Sequence, residues 1–244
     1  IRHKLSRRLM LWGARLAHAR SYRDQQSKDY MQSIGLGTHR DRVLPDVAFL
    51  LPSPSLPAEP VTQAPGTAFE RPTIVGLGVM KYSGWSPTDQ HRHETYHNYA
   101  KRITEVAVAQ IRRGRRVRLL VGEYADLHAA RDVAGRIAAI LGPEAAAVHA
   151  EPAADLHEVM KQMADVDVVV ATRFHNVVCA LKMAKPVVSL GYAGKNDVLM
   201  FEMGLPEFCR HVETFDPGWV SESIDAALER REEISRRLAV MTAA

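Results

Sequence analysis

The stretch from residue 168 to 195, VVVATRFHNVVCALKMAKPVVSLGYAGK, limits what this chain can fold into more than any other part of it. Val168, Val169 and Val170 form a β-branched run of the kind that fills a strand buried on both faces of a parallel sheet. The run stops at Ala171 and Thr172, and Arg173-Phe174-His175 stand before an apolar helix over 177–183. Lys185-Pro186 closes that helix, since proline cannot continue one. Val187-Val188-Ser189-Leu190 then opens the next strand. In an open α/β sheet, ligands bind in the crevice beyond the carboxyl ends of the strands. The order of residues therefore sets a fixed cation (Arg173), a titratable imidazole (His175) and a helix N-terminus in one crevice. That combination suits an anion whose chemistry requires a proton to move.

The same alternation extends upstream. Residues 73–79 form a strand with a glycine-bearing tip, followed by a loop from Lys81 to Thr88 and a helix over 91–113 that Gly114 ends as a C′ residue. Strand 116–121, helix 126–141, a strand near 147–149 and helix 154–163 follow, and a long amphipathic helix over 219–240 closes the chain. Strands alternating with helices predict an α/β fold: a Rossmann-like parallel sheet with helices on both faces, spanning 72–244. Residues 51–71 hold five prolines and few apolar anchors, the composition of a linker. Before it lie a helix over 3–18, a short strand at 20–23, a helix over 25–34 and an extended exit over 42–50. Two helices and a strand or two cannot cover a sheet on both faces. Residues 1–50 are therefore expected to be the end of an N-terminal α/β domain, and the chain a truncated product.

Composition narrows the class further. Hydrophobic residues make up 46% and charged residues 25%, as in an ordinary globular protein. Cys179 and Cys209 are the only cysteines and sit in no CxxC, which predicts reduced thiols and a cytoplasmic location. No apolar run approaches the roughly 20 residues of a membrane helix. The net charge of +4 is concentrated in Arg2, Lys4, Arg7 and Arg8, and in Arg112, Arg113, Arg115, Arg116 and Arg118. The second cluster has the position of a solvated helix end. Neither has interleaved aromatics, which argues against nucleic acid. Peripheral contact with the anionic inner face of a membrane, or with a lipid-linked substrate, is compatible with both.

Two ordered motif blocks resemble those of the polysaccharide pyruvyl transferases. The first is Tyr22-Arg23-Asp24 with Ser27, followed by a helix, Gly35 and Pro45-Asp46. The second is Arg173-Phe174-His175, an alanine-containing helix (Ala180 to Ala184), Pro186-Val187-Val188 and Tyr192-Ala193-Gly194-Lys195. The resemblance covers most of residues 15–215. It implies the C-terminal half of a GT-B architecture and transfer of a pyruvyl group from phosphoenolpyruvate to a saccharide, forming a pyruvate ketal in polysaccharide or exopolysaccharide biosynthesis. It also implies that no metal or organic cofactor takes part.

On that reading Arg173 and Lys195 hold the donor's anions and His175 transfers a proton. Lys81 stands where the family tends to place another anion-binding residue, and Tyr192 is a further binding candidate. A strand-tip arginine is expected to carry little packing, so its loss should leave the fold intact. Arg23 and Asp24 have the pattern of a structural polar pair. Gly76 and Gly78 fail to complete G-x-G-x-x-G because position 81 is Lys81, which argues against a dinucleotide site. His91, His93 and Glu94 lack the i, i+4 spacing of HExxH and suit a solvated helix start. Glu123, Asp126 and Asp132 are candidates for sugar contacts on a charged helix surface, and Trp85-Ser86-Pro87 for a loop over the cleft. Two alternatives stay open. One is a nucleotide-sugar glycosyltransferase or epimerase with Glu202 on the ribose; the other is an inactive remnant that only binds an anion.

Overall fold

A computed structural model describes residues 3–52, 71–84, 88–142 and 150–242. Most of the proline-rich segment, the strand expected at 147–149 and the Trp85-Ser86-Pro87 loop lie outside the described residues. The chain divides into two compact units, Ile1–Leu51 and Pro52–Ala244.

The first unit contains helix α1 (Lys4–Leu16), strand β1 (Ser21–Tyr22), helix α2 (Gln25–Ser33), strand β2 (Arg42–Val43) and a 3-10 turn (Val47–Leu50). The two strands pair in parallel. Its buried apolar side chains are Met31, Leu36 and Ala48. Polar contacts do much of the remaining work. Buried Asp41 accepts both arms of the Arg20 guanidinium, at 2.9 and 3.1 Å, and the Tyr22 hydroxyl at 3.1 Å. Asp24 caps α2 by accepting from the Ser27 main-chain N–H at 2.6 Å. Arg23 lies 3.3 Å from Asp46, which in turn accepts from the Ala48 main-chain N–H and caps the 3-10 turn. The Arg-Asp-x-x-Ser step is thus a helix cap with an ion pair behind it.

The second unit is a six-stranded sheet, entirely parallel: β3 (Ile74–Val79), β4 (Arg116–Val121), β5 (Ala150–Pro152), β6 (Val168–Ala171), β7 (Val187–Gly191) and β8 (Cys209–His211). Their spatial order is β5-β4-β3-β6-β7-β8. Numbered within the unit this is 3-2-1-4-5-6, the doubly wound Rossmann order, with its switch point between β3 and β6. Every residue of β3, β6 and β7 is buried, as continuous apolar strands covered on both faces must be. Helix α3 (Asp89–Arg112) packs with α4 (Leu127–Leu141) and α8 (Pro217–Glu229). Helix α6 (Phe174–Lys182) packs with α5 (Leu156–Gln162) and α9 (Arg231–Thr242), and α7 (Gly194–Glu202) joins β7 to β8.

Local signals explain the element ends. Gly114, at φ +77°, takes the left-handed conformation after α3, and its N–H donates to the Ile111 carbonyl at 2.9 Å. The helix expected over 219–240 is instead two helices broken at Arg230. Val220, Ile224 and Ala227 of α8 are buried in a helix that packs with α3, β6 and β7, whereas Ile234 and Leu238 of α9 are buried in a helix that packs with α6. One straight helix cannot present its apolar stripe to both. The arginine cluster is likewise engaged more than its solvated reading predicts. Arg113 and Arg115 pair with Asp225 of α8, at 2.7 and 2.6 Å, and Arg118 grips Asp165 before β6.

Candidate active site at the sheet switch point

The residues that follow β3, β4, β6 and β7 share the carboxyl end of the sheet. Glycines allow this approach. A Cβ at Gly122, just past β4, would collide with the Asn176 side-chain amide in the first turn of α6. At Gly78 it would meet Asn176 Nδ2 at 3.1 Å and the main chain of Ala171 at 3.3 Å, and at Gly191 it would meet Asn196 Cβ at 2.6 Å. The glycines at these strand tips are therefore packing devices that seat α6 and α7 against the strands. Tyr99, buried on α3, ties the tips of β3 and β6 together. Its hydroxyl accepts from the Met80 main-chain N–H at 3.2 Å and lies 3.0 Å from Thr172 Oγ1.

Arg173 leaves the tip of β6 and turns back over the end of β4. Its Nε and Nη2 donate to the two oxygens of Asp126, at 2.5 and 2.8 Å, and its Nη1 lies 2.6 Å from Glu123 Oε2. Asp126 is fully buried and also accepts the Lys81 main-chain N–H at 2.9 Å. One carboxylate thus joins the loops after β3, β4 and β6. The hydrogen bonds to Asp126 raise the Arg173 guanidinium above its ordinary range, so it stays charged. The expectation that this arginine carries little packing is corrected here: it is the counter-ion of a buried charge. Glu123 and Asp126 likewise do not lie free on a charged helix surface. Only Asp132 of that group faces away from Arg173, held by Arg136 at 3.0 Å and by the Tyr96 hydroxyl at 2.9 Å.

The other expected residues fall around this knot. His175, in the first turn of α6, is exposed, with its ring 5.6 Å from that of Phe174. Lys195, in the first turn of α7, holds its ammonium 4.6 Å above the Phe174 ring and 5.3 Å from the Tyr192 ring. Tyr192 is half-buried and stacks obliquely on Tyr82 at 6.3 Å. The side chain of Lys81 is exposed. Sequence reasoning missed Tyr82 and Glu213: the Tyr82 hydroxyl donates to the Glu213 carboxylate beyond β8, linking residues far apart in the chain. Tyr82 is held neutral, its hydroxyl shifted upward by burial and by that carboxylate. Asn176 Nδ2 and Asn196 Oδ1 are buried here without a hydrogen-bond partner among the described residues. His91 pairs weakly with Glu94 at 3.9 Å, and no cluster of three metal-ligating side chains occurs among the described residues.

The fold and this site define a doubly wound α/β unit with a cluster of charged side chains, Arg173, Asp126, Glu123 and Lys195, at its switch point. The chain belongs to the polysaccharide pyruvyl transferase family, whose model matches residues 1–194; Lys195 lies one residue beyond the match. No curated protein matches the chain. Among solved structures, it is similar to a protein assigned as a UDP-N-acetylglucosamine 2-epimerase from Listeria monocytogenes. That likeness has 11% identity over 98% of this chain and 57% of the other, with a TM-score of 0.56. It is also similar to the E. coli ADP-heptose lps heptosyltransferase II, with 16% identity over 86% of this chain and 53% of the other and a TM-score of 0.48. The chain spans about half the length of these structures. The first likeness supports the GT-B-like, Rossmann-type fold and nothing finer. No helix among the described residues is long and apolar enough to cross a membrane.

Proposed function

We propose that the chain transfers a pyruvyl group from phosphoenolpyruvate to two hydroxyls of a saccharide, forming a ketal. The observation that carries the reading is the convergence of Arg173, Lys195 and His175 at the carboxyl ends of β6 and β7, next to the switch point. Arg173 and Lys195 meet the donor's carboxylate and phosphate, and they stabilise the phosphate as it leaves. His175 gives a proton to the donor's methylene carbon, which becomes a methyl group, while an acceptor hydroxyl bonds to the neighbouring carbon. The carbon–oxygen bond to phosphate breaks and the second hydroxyl closes the ketal. Of the two hydroxyl protons released, one restores His175 and the other leaves on phosphate, so atoms and charge balance. Tyr192 and Lys81 border the same crevice and serve as further binding groups. No step of this scheme calls on a metal or an organic cofactor.

The nucleotide-sugar alternative is weakened by the position of Glu202. It ends α7, an exposed site one helix length from the crevice, roughly 12 Å at 1.5 Å per residue. Calorimetric titration of the full chain with phosphoenolpyruvate, with uridine diphosphate as comparison, tests the choice. Heat with phosphoenolpyruvate that weakens about tenfold in Lys195→Ala is expected. Binding of the nucleotide without phosphoenolpyruvate would replace this reading with the nucleotide-sugar one.

A further inference from the structure

The two edges of the Arg173 guanidinium are held in unlike ways. Nε and Nη2 face Asp126, which has no exposed surface and also takes the Lys81 main-chain N–H. Withdrawing Asp126 would strand a buried charge and orphan two sets of donors, so that edge is permanent. Nη1 faces Glu123, whose side chain is 55% exposed. A carboxylate so placed exchanges Arg173 for water at little cost, because exposed ion pairs are weak. A guanidinium has five N–H donors, and the three contacts to acids leave one on Nη1 and one on Nη2. Nη1 is thus the nitrogen whose acid partner an incoming carboxylate or phosphate can replace, pairing bidentately with Nη1 and the remaining Nη2 N–H.

We infer that Glu123 occupies, in the unliganded chain, the place on Arg173 that a donor anion takes, and that it is displaced when the anion binds while Asp126 stays. The inference rests on the reading of Arg173 as a donor ligand. Glu123 is then an affinity-setting residue: its carboxylate competes for Nη1 and adds a negative charge where a polyanionic donor must approach. Asp126 is a positioning residue that aims the Nη1 side of Arg173 and holds the loop bearing Lys81. The class of ligand that displaces Glu123 is a small molecule carrying both phosphate and carboxylate. Its charge is met by Lys195 from α7 as well as by Arg173, whereas the ion pair of Glu123 among the described residues is with Arg173.

The test is calorimetric titration of three full-length chains, wild type, Glu123→Ala and Asp126→Asn, with phosphoenolpyruvate, alongside their thermal melts. Glu123→Ala is expected to bind roughly two- to five-fold more tightly than wild type, the factor set by an exposed ion pair, with an unchanged melt. Asp126→Asn is expected to bind at least tenfold more weakly. A Glu123→Ala affinity equal to or weaker than wild type would overturn the inference, even if Asp126→Asn fails to fold. Absence of phosphoenolpyruvate binding in wild type would instead overturn the donor reading of Arg173, and the inference with it.

Discussion

Removing the Arg173 side chain would leave Asp126 fully buried with a single main-chain N–H to answer its charge. The cost of an uncompensated buried charge is a few kcal/mol. It is reduced here because the Arg173 side chain keeps 26% exposure. Arg173→Ala should therefore lose roughly 2–4 kcal/mol in chemical denaturation, together with donor binding. A variant as stable as wild type would mean that Asp126 is hydrated or protonated at no cost. His175 behaves differently, because it is exposed and answers no buried charge: its ring meets only the neighbouring Phe174 ring among the described residues. His175→Ala should keep the wild-type melt and lose turnover; retained turnover would remove its role in proton transfer. At this scale the sequence placed both residues at the strand tip. It gave no sign that Arg173 answers to Asp126, because the two lie 47 positions apart and neither motif nor spacing joins them.

Among the elements, the junction of β4 with α6 sets the geometry of the tip. Gly122 and Asn176 fill one space, so the Cβ introduced by Gly122→Ala must displace the Asn176 amide. That overpacking should cost about 1–3 kcal/mol and shift the first turn of α6. The double variant Gly122→Ala with Asn176→Ala should be more stable than the sum of the single losses predicts, measured as a double-mutant cycle. Strict additivity would show that the two residues do not share the space. The elements themselves were legible wherever one local signal decided them: the valine run of β6, Gly114 after α3, Pro186 after α6. The break at Arg230 was not legible, since no proline or glycine marks it and 219–240 reads as one amphipathic stretch. What accompanies the split is a change of partner: α8 packs with α3, and α9 with α6.

Across the second unit, three tyrosines shift in the same direction. Burial raises Tyr99 to about 12, and burial followed by a neighbouring carboxylate raises Tyr82 and Tyr96. Each folded-state value lies above the unfolded value near 10. Their contribution to stability is thus complete below about pH 10 and is lost as pH rises above it, that of Tyr99 through about 12. Denaturation at about pH 9 and about pH 11 should show a marked fall in stability; a flat profile would mean these hydroxyls ionise freely in the folded state. The free thiols of Cys179 and Cys209, pushed up to about 12 by burial, should resist alkylation until the unit opens.

Taken alone, the amino-acid order determined the α/β class, the strand–helix succession of the second unit from β3 to β7, the family and the two residues at the β6 tip. These follow from local properties: β-branched runs, helix stops and short spacings. Only the tertiary structure decided the 3-2-1-4-5-6 strand order, the anchoring of Arg173 by Asp126 and Glu123, the pairing of Tyr82 with Glu213 and the fate of the arginine cluster. Each of these joins residues brought together by parallel crossovers, and a crossover leaves no periodicity in the chain that would announce which strands become neighbours.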